Sequence, residues 1–179
     1  MMHLYLIGYR GSGKSTIGRL VAARLGWTVI DTDEVVERES GLTIKEIFET
    51  EGEQGFRDRE SSALRIVASM PSLPCVVSLG GGAVLRELNQ QAIADSGVCV
   101  WLQGSAKLLH ERILSDQSTQ LRRPNLTQNG GFEEVADLLR VRTPIYQKLA
   151  QKTVVIDERV PDDIASEIVD WANSAVQRN

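Results

Sequence analysis

Short apolar runs alternate along the chain with longer stretches whose apolar residues recur every three or four positions. Leu4, Tyr5, Leu6 and Ile7 form the first run, which stops at Gly8 and a glycine-rich turn. From residue 14 to 25, Ile17, Leu20, Val21, Ala23 and Leu25 crowd one side, as in a helix lying on a sheet. Residues 28–31 predict a second strand ending in acids, and residues 74–79 a third ending at Gly80, Gly81 and Gly82. Residues 98–102, which include Trp101 and no polar position, read as a strand buried on both faces. Residues 153–157 make a fifth.

Helical patterns fill the intervals. Thr43 followed by Glu46 is a capping box, in which each side chain can bond the other's backbone. The helix it opens carries Ile44, Ile47 and Phe48 inward, and a second from about residue 53 carries Phe56, Leu64 and Val67. Residues 105–113 are helical, and 132–149 return to helix with an interruption or kink expected at Pro144. Pro161 begins a last helix with Ile164, Ile168, Trp171, Ala172 and Ala175 on one face. Residues 114–131 differ: they are polar and aperiodic, and read as a mobile loop around Arg122, Arg123 and Pro124. Strands separated by helices imply an α/β fold with one parallel sheet covered on both sides. Ligands then sit beyond the carboxyl ends of the strands. Three unusual stretches, 8–15, 31–33 and 80–82, each follow such an end, which predicts one shared site in a single domain spanning 1–179.

Composition narrows the class. With 179 residues, 42% hydrophobic and 25% charged, the chain is neither collagen-like nor disordered. Its 20 basic and 24 acidic residues give a net charge of −4, which lends no support to a nucleic-acid binder but permits a local basic pocket. Cys75 and Cys99 lie in apolar runs and read as reduced core thiols. No apolar run approaches the roughly 18 residues of a membrane span, and the first ends at once in Gly8, so no secretory segment is expected. The expectation is a cytoplasmic protein with neither membrane nor nucleic-acid partners. His3, His110 and Met70 offer no metal or cofactor spacing.

Gly8-Tyr9-Arg10-Gly11-Ser12-Gly13-Lys14-Ser15 matches the phosphate-loop pattern G-x-x-x-x-G-K-[ST], with an apolar strand before it and an amphipathic helix after it. Such a loop aims backbone N–H groups at phosphate oxygens, and the helix N-terminus adds partial positive charge. Lys14 can reach the β- and γ-phosphates of ATP, Ser15 can ligate Mg²⁺, and Thr16 can add its backbone N–H. A turn that merely caps a helix would not need glycines, lysine, hydroxyl, strand and helix together. The chain has no N-K-x-D motif of a GTPase, and its third strand ends in glycines rather than paired acids. A metabolite kinase fits best.

Asp31 and Asp33 lie just past the second strand. They project together if the chain stays extended and diverge if a helix begins there. One can hold a water on the metal while the other accepts from an attacking hydroxyl; alternatively Thr32 or Asp33 is simply a helix N-cap. Arg57 could equally belong to a solvated face, paired with Glu53 and Glu60. Gly80, Gly81 and Gly82 imply close approach to a ligand or a plain tight turn. Arg122, Arg123 and Arg142 read by default as surface arginines.

Together GYRGSGKST, VIDTD, GLTIKEIFETEGEQGFRDRE, SLGGGAV, RRPNL and RTPIY resemble the shikimate kinases, nucleoside-monophosphate-kinase-like P-loop enzymes, over nearly the whole chain. The resemblance implies a three-layer α/β fold with a five-stranded parallel sheet in the order 2-3-1-4-5. It also implies an acceptor-binding lobe at about 34–60 and a lid at about 112–128. It implies transfer of the γ-phosphoryl group of MgATP to the 3-hydroxyl of shikimate; a monomer is expected. By the same resemblance Gly11, Ser12, Gly13, Lys14, Ser15 and Thr16 cradle phosphate, and Ser15 with Asp31 serves Mg²⁺. Asp33, Gly80, Gly81 and Gly82 take the acceptor hydroxyls; Arg57 and Arg142 take its carboxylate, with Glu60 orienting the arginines. Arg123 closes over the transferring phosphate, and Arg112 and the 157–161 loop lie toward adenine. Lys14, Asp33 and Arg123 are the catalytic set. Where the family often has R-P-L-L, this chain has Arg123-Pro124-Asn125-Leu126. Two rivals are a gluconate-kinase-like enzyme, which shares the fold and loop, and a non-enzymatic nucleotide-dependent regulator. The set of Phe56, Arg57, triple glycine and Arg142 argues against the first, and intact Lys14, Ser15 and Asp33 against the second.

Overall fold

The computed structural model describes residues 3–70, 74–116 and 131–176. Its five strands are β1 (His3–Ile7), β2 (Thr28–Asp31), β3 (Cys75–Ser78), β4 (Gly97–Gln103) and β5 (Lys152–Val155). They form one parallel sheet in the order β2-β3-β1-β4-β5. Among the described residues the helices are α1 (Lys14–Leu25), α2 (Thr32–Ser40), α3 (Ile44–Ala68), α4 (Glu87–Ser96), α5 (Ala106–Ser115), α6 (Gly131–Leu149) and α7 (Pro161–Val176).

Alternation along the strands divides the core into two layers. Tyr5, Ile7, Cys75, Val77, Cys99 and Trp101 face α2, α3, α4 and the end of α6. Leu4, Leu6, Val76, Val100 and Leu102 face α1, α5, α7 and the start of α6. Both faces of the central strands are therefore dry, which explains runs with no polar position. β2 lies at the edge, so Thr28 and Val29 are exposed although Ile30 packs on the core.

Local chemistry sets the helix ends. The capping box forms: Glu46 N–H donates to Thr43 Oγ1 at 3.2 Å, and Thr43 N–H donates to Glu46 Oε2 at 2.7 Å. Gly52, at φ 69° and ψ −171°, breaks α3 into the two helical parts expected. That conformation suits glycine alone. Other expectations are corrected. In α1 the buried alanine is Ala22, and Ala23 is exposed. α6 runs through Pro144 uninterrupted, because Pro144 and Arg140, whose carbonyl loses its helical partner, both face solvent. Leu114 and Ser115 belong to α5 and Gly131 opens α6; the rest of the expected loop, with Arg122 and Arg123, lies outside the described residues. β5 ends at Val155, since Asp157 turns away to accept from the Ser105 backbone N–H at 3.1 Å. Both cysteines are free and buried, and burial pushes the Cys99 thiol up to about 12.

Candidate active site

The carboxyl ends of β1, β2 and β3 converge on an open cleft of about 670 Å³. Gly11, Gly13, Lys14, Ser15, Thr16, Asp31, Asp33, Gly80, Gly81 and Arg112 all line it. The three stretches singled out in the sequence thus meet in one place.

The phosphate loop leaves β1 at Gly8, whose φ is 144° and where an added Cβ would stand 2.7 Å from the Leu102 carbonyl. Lys14 is buried, and its ammonium donates to the carbonyls of Gly8 at 3.0 Å and Tyr9 at 2.9 Å. Gly11, Gly13 and the N-terminus of α1 border the cleft, the setting in which backbone N–H groups and the helix end favour an anion. Ser12 departs from expectation: its side chain is buried, and its backbone N–H bonds the Tyr9 carbonyl at 3.2 Å. Arg112 stands beside the loop, with Nη1 3.5 Å from the Gly11 carbonyl.

Ser15 Oγ donates to Asp31 Oδ2 at 2.6 Å, and Ser78 Oγ lies 3.4 Å from Ser15 Oγ. Asp31 is also the N-cap of α2, accepting from Asp33 N–H at 3.0 Å; the cap is therefore neither Thr32 nor Asp33. Because α2 starts at Thr32, the two acids diverge. Asp31 serves Ser15, while Asp33 Oδ1 lies 3.2 Å from where a Cβ on Gly80 would stand. The donors near Ser15 are hydroxyl and carboxylate oxygens, a hard set that suits Mg²⁺. Among the described residues no group of three or more His, Cys, Asp or Glu could form a cage. A cation held by one or two protein oxygens, with phosphate and water completing its shell, fits this arrangement.

Arg57 does not sit on a solvated face. Both expected pairs form, Nη1 to Glu60 Oε2 at 2.8 Å and Nη2 to Glu53 Oε1 at 3.2 Å, but Arg57 is only 8% exposed and Glu60 1%. Burial by itself would lower the guanidinium's pKa; the Glu60 and Glu53 carboxylates outweigh it and hold it above the ordinary value. Arg142 on α6 is likewise buried at 5% exposure, with its guanidinium 5.2 Å from the centre of the Tyr9 ring and Nη1 donating to the Gly81 carbonyl at 3.3 Å. The triple glycine needs no unusual φ; it needs room. A Cβ on Gly80 would collide with Glu60 Oε1, and one on Gly82 with the Arg57 guanidinium. Arg57, Gly82 and Arg142 do not line the cleft themselves but gather around the turn that does.

Tyr146 lies within RTPIY, a segment from which the sequence alone assigns it no role. It is fully buried, stacks on Trp101 and donates to the Gly81 carbonyl at 2.7 Å. Burial pushes its phenol up to about 12, against the opposing pull of Arg142. Tyrosine in an apolar stretch usually has a hydrogen-bond partner inside, which was the available signal. Ser78, a lone hydroxyl at the end of an apolar run, carried no such signal, and Thr32, between two acids, read only as a possible helix N-cap.

This sheet order with a phosphate loop after its central strand defines a P-loop phosphotransferase of the small-metabolite kinase type. Residues 10–173 match the family described as Shikimate kinase, and the chain belongs to that family. A shikimate kinase from Rhodopirellula baltica is 43% identical over 174 residues, covering 97% of this chain and 92% of that protein. One from Synechococcus is 44% identical over 166 residues, covering 93% and 83%. The solved shikimate kinase from Acinetobacter baumannii in complex with shikimate superposes with a TM-score of 0.88 at 33% identity, covering 98% of this chain and 94% of that one. A gluconokinase from Sinorhizobium meliloti reaches a TM-score of only 0.56 at 19% identity, a likeness of fold alone.

Proposed function

We propose that this chain transfers the γ-phosphoryl group of ATP to a hydroxyl of shikimate, using the residues gathered around the cleft. One observation carries the reading. Two buried arginines, Arg57 and Arg142, flank a single triple-glycine turn whose other neighbours are Asp33 and the phosphate loop. A buried guanidinium needs anions, and Glu60 on Nη1 with the exposed Glu53 on Nη2 engages only part of the five-donor set of Arg57. A planar carboxylate on the acceptor supplies the rest, in the forked geometry guanidinium groups favour.

With the carboxylate held there, the hydroxyl edge of the acceptor lies toward Asp33 and the Gly80–Gly81 backbone. Asp33 accepts from the attacking hydroxyl, which aligns it and takes its proton as the new bond forms. Backbone N–H groups of Gly11, Gly13, Lys14, Ser15 and Thr16 and the Lys14 ammonium bind the phosphates and receive the charge that moves onto the leaving ADP. Ser15 and Asp31 would hold Mg²⁺, which when bound screens the β- and γ-phosphate oxygens from one another. Arg112 flanks the nucleotide, and Arg123, outside the described residues, is assigned by resemblance to the transferring phosphate. Residues 34–60 are assigned to the acceptor lobe of one domain; the lid expected at about 112–128 lies, beyond Asp116, outside the described residues. We place the enzyme in the cytoplasm as a monomer; among the described residues no helix is long and apolar enough to cross a membrane.

The test is a coupled assay of ADP release with shikimate, gluconate and nucleoside monophosphates offered in turn. Turnover with shikimate far above the others is expected. Preference for gluconate or for a nucleotide would overturn the acceptor assignment, and no turnover with any of them the kinase reading.

A further inference from the structure

We infer that Thr32 is a positioning residue for phosphoryl transfer: its hydroxyl sets where the triple-glycine turn stands relative to Asp33. This rests on the reading above, in which Asp33 receives the acceptor hydroxyl. Thr32 lies between the two acids, opens α2 and is 1% exposed. Its Oγ1 donates to the Ser78 carbonyl at 3.2 Å and accepts from the Gly80 N–H at 3.1 Å.

The β2–β3 register explains why such a bridge is needed. Its last pair is Asp31 opposite Ser78. Beyond that pair the two chains part, one entering α2 and the other the glycine turn. A hydroxyl can donate and accept at once, so this one side chain carries the connection past the end of the ladder. Its far anchor, Gly80, is crowded by Asp33 Oδ1 at 3.2 Å from the Cβ position. Three consecutive glycines are also the most freely rotating backbone in the site. Tyr146 and Arg142 hold the far side of the turn at the Gly81 carbonyl. Without the Thr32 hydroxyl the Gly80 N–H loses this acceptor, and the near side of the turn loses its tie to the start of α2, which carries the carboxylate that aligns the nucleophile.

Such a shift acts on the chemical step. A misplacement of about 1 Å can lower a rate on the order of 100-fold. Nucleotide binding is spared, because the phosphate loop is held by its own bonds from Lys14 to Gly8 and Tyr9 and from Ser15 to Asp31. A hydroxyl that only stabilised the fold would change the melting temperature and leave kcat per folded molecule alone.

The experiment compares Thr32→Val, Thr32→Ala and Thr32→Ser in the full chain, with Asp33→Asn alongside, by steady-state kinetics in both substrates and thermal melting. Thr32→Val is expected to lose about tenfold or more in kcat while KM for ATP stays within roughly threefold. Thr32→Ser, which keeps the hydroxyl, should stay within about threefold of the parent. A kcat for Thr32→Val close to the parent, or an equal loss in Thr32→Ser, overturns the inference. If the valine variant does not fold, the alanine variant is read against serine by the same criteria. If Asp33→Asn collapses while the Thr32 variants turn over normally, this inference alone falls. If Asp33→Asn is itself unaffected, the acceptor role of Asp33 falls first and the inference with it.

Discussion

The guanidinium of Arg57 stands where a side chain on residue 82 would begin. Gly82 has φ −107°, open to any residue, so space alone demands glycine there. The tip of a long arginine could normally step aside, but this one is held by Glu60 at 2.8 Å and Glu53 at 3.2 Å. Gly82→Ala should therefore move the arginine off the turn. A charge-assisted hydrogen bond is worth about 1.5–3 kcal/mol, so KM for shikimate should rise roughly tenfold to a hundredfold. KM for ATP should not change. Titration of the alanine variant with each substrate checks this, and an unchanged KM for shikimate would remove Arg57 from the acceptor site.

Lys14→Ala should abolish phosphoryl transfer. The ammonium is buried against the Gly8 and Tyr9 carbonyls at the mouth of the loop, where the phosphates of a nucleotide would enter. Far-ultraviolet circular dichroism should remain native, because α1 is built by Ile17, Val21 and Ala22 packing on the sheet. A variant with near-parental kcat would sink the phosphate-loop mechanism.

Arg57 and the acceptor carboxylate should behave as one interaction. Shikimate and its carboxamide analogue, each turned over by the parent and by Arg57→Ala, form a double cycle. Either single change should cost about one to two factors of ten in kcat/KM, by the usual conversion of free energy to rate. The two together should cost little more than one. Full additivity would mean that the carboxylate is bound elsewhere.

Alkaline solution should destabilise the fold over a defined window. Burial holds Tyr146 and Cys99 neutral in the folded chain, each pushed up to about 12 from ordinary values of 10.0 and 9.0. Raised folded-state values contribute stability that is complete below the unfolded pKa and is lost as pH climbs toward the folded one. The melting temperature should hold to about pH 9 and then fall progressively toward pH 12. Melting curves at pH 8, 9, 10 and 11 test this, and a flat profile across that range would contradict it.

Much of the architecture was legible because local physics and global fold agree. Apolar runs at Leu4–Ile7 and Val98–Leu102, each bounded by a glycine and too short for a helix, fit strands covered on both faces, and Thr43 with Glu46 fits a capped helix start. Where reading failed, a neighbour decided. Ala22 rather than Ala23 is buried because the helix rotates to suit the sheet, and Pro144 is tolerated because its side of α6 faces water. Arg142 looked like a surface arginine until α6 carried it over the Tyr9 ring.

The phosphate loop, the acids after β2 and the three glycines after β3 are local motifs, and the chain determines them by itself. A strand end, a turn and a helix start need only nearby residues, and in a parallel sheet all strand ends point one way. What each motif does to the others was decided only in three dimensions. Ser15 and Asp31 are 16 positions apart, Thr32 and Gly80 are 48, and Tyr146 and Gly81 are 65, yet each pair is hydrogen-bonded. Spacing in sequence carries no information about such contacts. Sheet order brings β2, β3 and β1 side by side, and burial then obliges every polar group placed among them to find a partner.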